Sequence, residues 1–200
     1  MSHKENTVQF WDEMYVSQNT GWDLDGPTPV FEKISKTISK GKVCILGCGR
    51  GYDAVMFAEN DFKVTAVDFA PEAIKSLNKL VNKKKVNLTV LQEDIFNLEE
   101  QFFEYFDYVI EQTCFCAIHP TRRLDYAHLV KNILKKNGRL IGLWLPLNKK
   151  ISEGGPPYGT SVKEVKSYFK NLWEVEIEEF PELSVSSRIN KEKLIIFKKL

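Results

Sequence analysis

The run CILGCGRGYD, residues 44–53, ends a hydrophobic stretch in three glycines at alternate positions, Gly47, Gly49 and Gly51. A strand that breaks into glycines turns sharply, with no side chain to keep a ligand from the backbone. The spacing is GxGxG followed by Tyr52, whereas dinucleotide sites use GxGxxG. The residues downstream decide between a plain tight turn and a cofactor loop. Asp68 closes the next apolar run, 21 residues beyond Gly47. In a doubly wound sheet that position lies beside the glycine loop, where a carboxylate accepts hydrogen bonds from ribose hydroxyls. Glu93-Asp94 closes the third run in the same way, and Asp94 is suited to an adenine amino group. Phe69 and Ile95, next to these acids, complete the set expected to bind the cofactor. Three successive strand ends thus suit an adenosine without a pyrophosphate. No GxxxxGK[ST] phosphate loop occurs, which argues against ATP hydrolysis.

Apolar runs at 42–46, 62–67, 86–91, 106–110 and 139–145 alternate with helical periodicity. Pro71 starts one helix, with Ala73, Ile74, Leu77, Leu80 and Val81 on a single face. A stripe of Tyr126, Val130, Ile133 and Leu134 predicts another, closed by Asn137-Gly138. Ser161 and Glu164 read as a capping box opening a third. The pattern predicts an α/β fold, a mostly parallel sheet with helices on both faces. The ending differs: WEVEIEEF alternates strictly and residues 193–197 are apolar, with no helix between them, so the last strand is expected to run antiparallel.

With 200 residues and 43% hydrophobic content, the chain is expected to form one domain over 1–200. A net charge of +1 and the lack of a basic stripe argue against nucleic acid as partner; Lys83-Lys84-Lys85 reads as a solvated helix end. No stretch of 18 apolar residues and no leader-like segment occur, so a soluble, cytoplasmic protein with no membrane partner is expected. Cys44, Cys48, Cys114 and Cys116 follow no zinc or secreted-disulfide spacing, which predicts reduced, buried thiols and no metal.

The glycine loop, Asp68, Asp94 and the antiparallel ending resemble the class I S-adenosylmethionine-dependent methyltransferases over residues 40–200. That resemblance implies a Rossmann-like seven-stranded sheet. Four stretches together resemble one branch, the thiopurine S-methyltransferase family, and within it the halide/thiol methyltransferases. They are FWDEMYVSQNTGWDLDGPTPVF (10–31), GCGRGYDAVMFAENDFKVTAVDFAPEAI (47–74), CFCAIHPTRRLDYA (114–127) and GGPPYG (154–159). The resemblance implies S-adenosyl-L-methionine as cofactor, S-adenosyl-L-homocysteine as product, and a small-molecule acceptor: a thiol, thiopurine or halide. It places Trp11 and Trp22 against the cofactor, in residues 1–40 read as an aromatic lid. Aromatic faces suit a sulfonium, a compact cation without hydrogen-bond donors. The family often has Trp at the position of Tyr15 and Tyr at that of Gln112, so Gln112 is carried over as a cofactor or pocket contact with altered chemistry. Arg123 and Tyr158 are the acceptor-pocket candidates, with Arg122 the neighbouring alternative. No certain catalytic residue is assigned, and a monomer is expected.

Three other readings stay open on the residues alone, the first being a methyltransferase of another small-molecule class. An NAD-dependent oxidoreductase is disfavoured by GxGxG, and a catalytically silent cofactor-binding domain shares the same loop. A base-methylating enzyme would carry Asn/Asp-Pro-Pro-Tyr where this chain has Glu-Gln-Thr-Cys, residues 111–114.

Overall fold

The computed structural model describes residues 4–200; the first three residues of the expected domain lie outside the described residues. Seven strands form one sheet in the order β3-β2-β1-β4-β5-β7-β6. They are β1 (Lys42–Leu46), β2 (Lys63–Asp68), β3 (Thr89–Gln92), β4 (Phe106–Gln112), β5 (Leu134–Trp144), β6 (Trp173–Glu179) and β7 (Lys193–Lys199). The first five pair in parallel, and β7 runs antiparallel to both β5 and β6. The α-helices are α1 (Val8–Val16), α2 (Pro29–Ser35), α3 (Tyr52–Glu59), α4 (Pro71–Lys84), α5 (Glu99–Phe102), α6 (Arg123–Ile133) and α7 (Val162–Tyr168).

The pleat of β1 divides the core. Val43 and Ile45 pack with Phe31, Phe57 and Leu77 from α2, α3 and α4 on one face. Cys44 and Leu46 pack with Phe102, Tyr126 and Val165 from α5, α6 and α7 on the other. Both faces are covered, so the central strands are apolar throughout rather than alternating. The strand order reverses where β1 sits between β2 and β4. Ligand crevices in such sheets lie at that switch, outside the carboxyl ends of the strands.

Three local expectations need correcting. Helix α6 stops at Ile133, not at Asn137-Gly138, because the wholly buried Leu134 pairs with Phe106 as the first residue of β5. Asn137, at a φ of 63°, then turns the chain inside the strand's irregular entry, and pairing resumes at Tyr108 and Arg139. Strand β3 begins at Thr89 rather than at position 86, with Val86 and Leu88 packed on the core from the preceding loop. Only half of the capping box forms. Ser161 accepts from the Glu164 amide at 3.1 Å, but the Glu164 carboxylate goes to Arg123 at 2.8 Å.

Gly51 is the N-cap of α3, in the left-handed region at a φ of 81°. A Cβ there would lie 2.1 Å from Leu77 Cδ1 of α4, so Gly51 lets α3 and α4 approach closely. Gly51→Ala is therefore expected to destabilise the fold by about 1–3 kcal/mol through overpacking and backbone strain. Urea unfolding measures it, and an unchanged midpoint would contradict this packing.

Candidate functional site

At the carboxyl ends of β1, β2 and β4 lies a cavity of about 530 Å³, in the size range of small-molecule sites. Its floor is the glycine loop after β1 and the acid ending β2. Asp68 is 6% exposed; Oδ2 accepts from the Gly49 amide and Oδ1 from the Ala70 amide, each at 2.9 Å. Burial pushes its carboxyl above the usual range, and the amides of Ala70, Gly49 and Phe69 oppose that shift. Each oxygen keeps a further lone pair for a ligand hydroxyl. Gly49, at a φ of 54°, lies under Tyr15, whose Oη would be 2.8 Å from a Cβ at that position. Beyond β3, Asp94 Oδ1 accepts from the Phe96 amide at 3.0 Å and so sets the turn that presents Ile95.

The roof comes from the N-terminal segment. Trp22 meets Trp11 and Tyr15 edge to face, at centroid distances of 5.4 and 5.7 Å. Helix α1 is seated by Asp12, which accepts from the Glu72 amide at the start of α4 at 2.7 Å. Asp23 pairs with Arg50 of the glycine loop at 2.8 Å. The Trp11 indole donates to the Glu5 carbonyl at 2.8 Å, and the Glu5 carboxylate accepts from Tyr158 at 2.5 Å. Burial, then Glu5, pushes the Tyr158 phenol up to about 12.

Seven of the residues expected at the cofactor share the wall of this cavity: Trp11, Trp22, Gly47, Asp68, Phe69, Asp94 and Ile95. Gly49 and Gln112 line an adjoining recess of about 60 Å³, which shares Tyr15, Trp22, Gly47 and Thr113 with the main cavity. Gln112 Nε2 donates to Thr28 Oγ1, which donates to Asp53, each at 2.8 Å. Desolvation pushes Asp53 up to about 6 despite that bond. Gln112 thus supports the α2–α3 junction at the adjoining recess.

The acceptor candidates are placed differently from the expectation. Arg123 is fully buried and outside the cavity wall. Its Nη1 donates to the Gly159 carbonyl at 3.1 Å and pairs with Glu164, and its Nη2 donates to the Tyr158 carbonyl at 3.2 Å. It holds the GGPPYG loop in place. Tyr158 also lies off the wall, whereas Pro156 and Pro157 of that loop are on it. Arg122, the neighbouring alternative, does reach the wall, with its guanidinium 3.6 Å from the Phe96 ring centre. Phe10, Met14, Leu145, Pro146 and Arg188 line the cavity without having been expected there. Phe10 and Met14 stand on α1 inside the first quoted stretch, whereas no motif or periodicity marks Leu145, Pro146 and Arg188, which come from segments far apart in the chain.

Behind the cavity, Glu111 accepts from the Phe115 amide at 2.9 Å and the Tyr126 hydroxyl at 2.5 Å. This pair anchors the loop that carries Cys114 and Cys116. Burial pushes the Cys116 thiol up to about 12 and that of Cys114 upward too, which suits packing rather than nucleophilic attack. All four cysteines are free thiols. Among the described residues, no group of three His, Cys, Asp or Glu is placed to hold a metal ion, and no helix is long and apolar enough to cross a membrane.

The comparisons with known proteins agree with one another. A model of the thiopurine S-methyltransferase family matches residues 6–197. The chain is 35% identical to the probable thiol methyltransferase 2 of Arabidopsis thaliana, across 98% of this chain and 87% of that protein. It is 29% identical to thiocyanate methyltransferase 1 of the same plant, across 99% and 88%. Among solved structures, the 1,6-didemethyltoxoflavin-N1-methyltransferase of Burkholderia thailandensis superposes with a TM-score of 0.75 at 15% identity, over 96% of this chain and 86% of that one.

Glu111 gives a pH test. Burial raises its carboxyl from 4.5 to about 7 in the fold, so between those values the folded chain holds more protons than the unfolded one. Stability is therefore expected to fall as pH rises through that window, by roughly 1–3 kcal/mol from this group. Glu111→Gln should remove that part of the slope. Urea titrations at about pH 5 and about pH 7 measure it, and equal slopes in the two proteins would contradict the assignment.

Proposed function

The chain belongs to the thiopurine S-methyltransferase family and is an S-adenosylmethionine-dependent methyltransferase, and we propose that it methylates a small soft nucleophile: a thiol, a thiopurine or a halide. The observation that carries this reading is one cavity shared by the strand-end acids and the aromatic N-terminal segment. The plant relatives, by name a thiol and a thiocyanate methyltransferase, support the acceptor class.

In this reading Asp68 accepts from the ribose hydroxyls while its present amide bonds keep the glycine loop in shape. Asp94 and Ile95 hold the adenine, and Gly47 gives the ligand access to backbone. Trp11 and Trp22 supply aromatic faces for the positive sulfur. S-adenosylmethionine, when bound, supplies a methyl group already activated on a sulfonium, to be passed directly and in line to the acceptor. Phe10, Met14, Leu145 and Pro146 contribute apolar surface to the wall, which suits a soft acceptor. The chain's main tasks are then alignment and exclusion of water; orientation of this kind supplies up to about 7–11 kcal/mol in favourable cases. A thiol is already a few per cent ionised at neutral pH, so strong base assistance is not required.

Residues 1–40 act as the aromatic lid of a single domain, which works as a monomer on a small-molecule acceptor and without nucleic acid. Four free, mostly buried thiols suit a reducing, cytoplasmic location.

Incubation with labelled S-adenosylmethionine and a panel of thiols, iodide and thiopurines tests the acceptor class. Transfer to at least one soft nucleophile is expected; transfer to none, or only to amine or hydroxyl acceptors, would contradict it. Asp68→Ala is expected to weaken S-adenosylhomocysteine binding by about 1–3 kcal/mol in calorimetry, through loss of a charged hydrogen bond. Unchanged affinity would remove Asp68 from the site.

A further inference from the structure

Glu5 sits in the single helical turn Lys4–Asn6 ahead of α1 and is only 6% exposed. A glutamate is seldom so buried unless its carboxylate has partners. Two of its groups reach opposite sides of the main cavity. Its backbone carbonyl accepts from the Trp11 indole at 2.8 Å, on the side of the aromatic roof. Its carboxylate accepts from the Tyr158 hydroxyl at 2.5 Å, across 153 residues of chain. Burial, then Glu5 itself, pushes that phenol up to about 12, so Tyr158 keeps its proton and stays the donor at neutral pH.

The two ends of this bond are held differently. Tyr158 is fixed from behind: its amide donates to the Cys116 carbonyl at 2.7 Å, and its carbonyl accepts from the buried Arg123 at 3.2 Å. Glu5 stands on a three-residue turn outside the sheet, at the edge of the roof. When the roof lifts, that turn moves and the loop stays. Glu5 and Asn6 line the cavity on one side of the bond, Pro156 and Pro157 on the other. The bond thus closes the cavity between those two segments, and breaking it opens a passage there. Withdrawal of Glu5 also takes away the carbonyl that orients the Trp11 indole.

We propose that Glu5 is a positioning residue and the latch of the roof. Through Tyr158 it shuts the cavity against the GGPPYG loop, and through its carbonyl it sets Trp11 over the cofactor, so both let go together when a ligand enters or leaves. The inference rests on the lid reading of residues 1–40 and deepens it by naming the bond that opens. A latch that closes the site with or without ligand has to break for passage in either direction. Its loss speeds entry and exit alike and leaves affinity nearly unchanged. A contact that merely shapes the bound site would instead speed exit alone and weaken binding.

The test is stopped-flow tryptophan fluorescence on the full chain mixed with S-adenosylhomocysteine, which reads association and dissociation rates. Glu5→Ala and Tyr158→Phe are each expected to raise both rates about tenfold, the size of one charged hydrogen bond, with Kd within about threefold. The double variant should add less than about twofold, since both changes remove the same bond. Glu5→Gln, which keeps an acceptor without the charge, should fall between. Tyr158→Phe keeps the ring, so it decides the matter even if Glu5→Ala fails to fold. Unchanged rates in both single variants, a rise in dissociation alone, or additive effects in the double variant would overturn the latch. Asp12→Ala cuts a separate tie of the same roof, to α4. Faster exchange of ligand there, with none in the latch variants, overturns the latch and leaves the lid; no change in any variant removes the lid reading as well.

Discussion

The carboxylate of Asp68, accepting one backbone amide on each oxygen, is the interaction on which the rest of the site depends. A buried charge needs partners, and here the partners are the glycine loop after β1 and the first residues after β2. One side chain thereby ties together two neighbouring strand ends beside the point where the sheet order reverses. The Val67 carbonyl, accepting from the Cys48 amide at 2.9 Å, adds a second tie between the same two segments. The three glycines have a geometry to adopt because Asp68 and Val67 define it.

The N-terminal segment is then fastened over this floor from several directions. Asp12 reaches α4, Asp23 reaches the glycine loop, Glu5 reaches the GGPPYG loop, and the Trp22 carbonyl meets Arg188. These are polar contacts around an aromatic centre, Trp11, Tyr15 and Trp22, packed on Ala70 and Ala73 of the α4 entry. Small side chains at the start of α4 let the aromatic rings come close to the Asp68 loop. A roof held by separate, mostly peripheral ties can open locally while the sheet stays intact, which suits a site that must admit one molecule and release another.

Much of this was legible in the residues. The strand-to-glycine break, Asp68 and Asp94 all lie within a few positions of strand ends, and strand ends are visible as apolar runs. The fold class follows from the same alternation, and the antiparallel ending from two strands without a helix between them. What failed to show were contacts between distant loops. Arg123 looked like a pocket cation, but its neighbours in space, Gly159 and Glu164, are far along the chain and draw it into the interior. Gln112 ends β4, yet its amide is tied to Thr28 at the start of α2, a partner 84 residues away in the chain. Arg188 carries no periodic or motif signal at all; only the antiparallel return of β7 beside β5 brings its turn to the cavity. The end of α6 was misplaced because Asn-Gly marks a turn equally well after a helix or within a strand's entry.

Backbone hydrogen exchange with and without S-adenosylhomocysteine tests the central claim most directly: one site formed by the Asp68-held loop under the aromatic segment. The account predicts that bound ligand protects three regions together, the glycine loop at 47–51, the Asp68–Ala70 turn and residues 8–22 of the roof. Protection of the loop and turn with exchange in 8–22 unchanged would contradict the shared site, and no protection in any of the three would contradict the cofactor site itself.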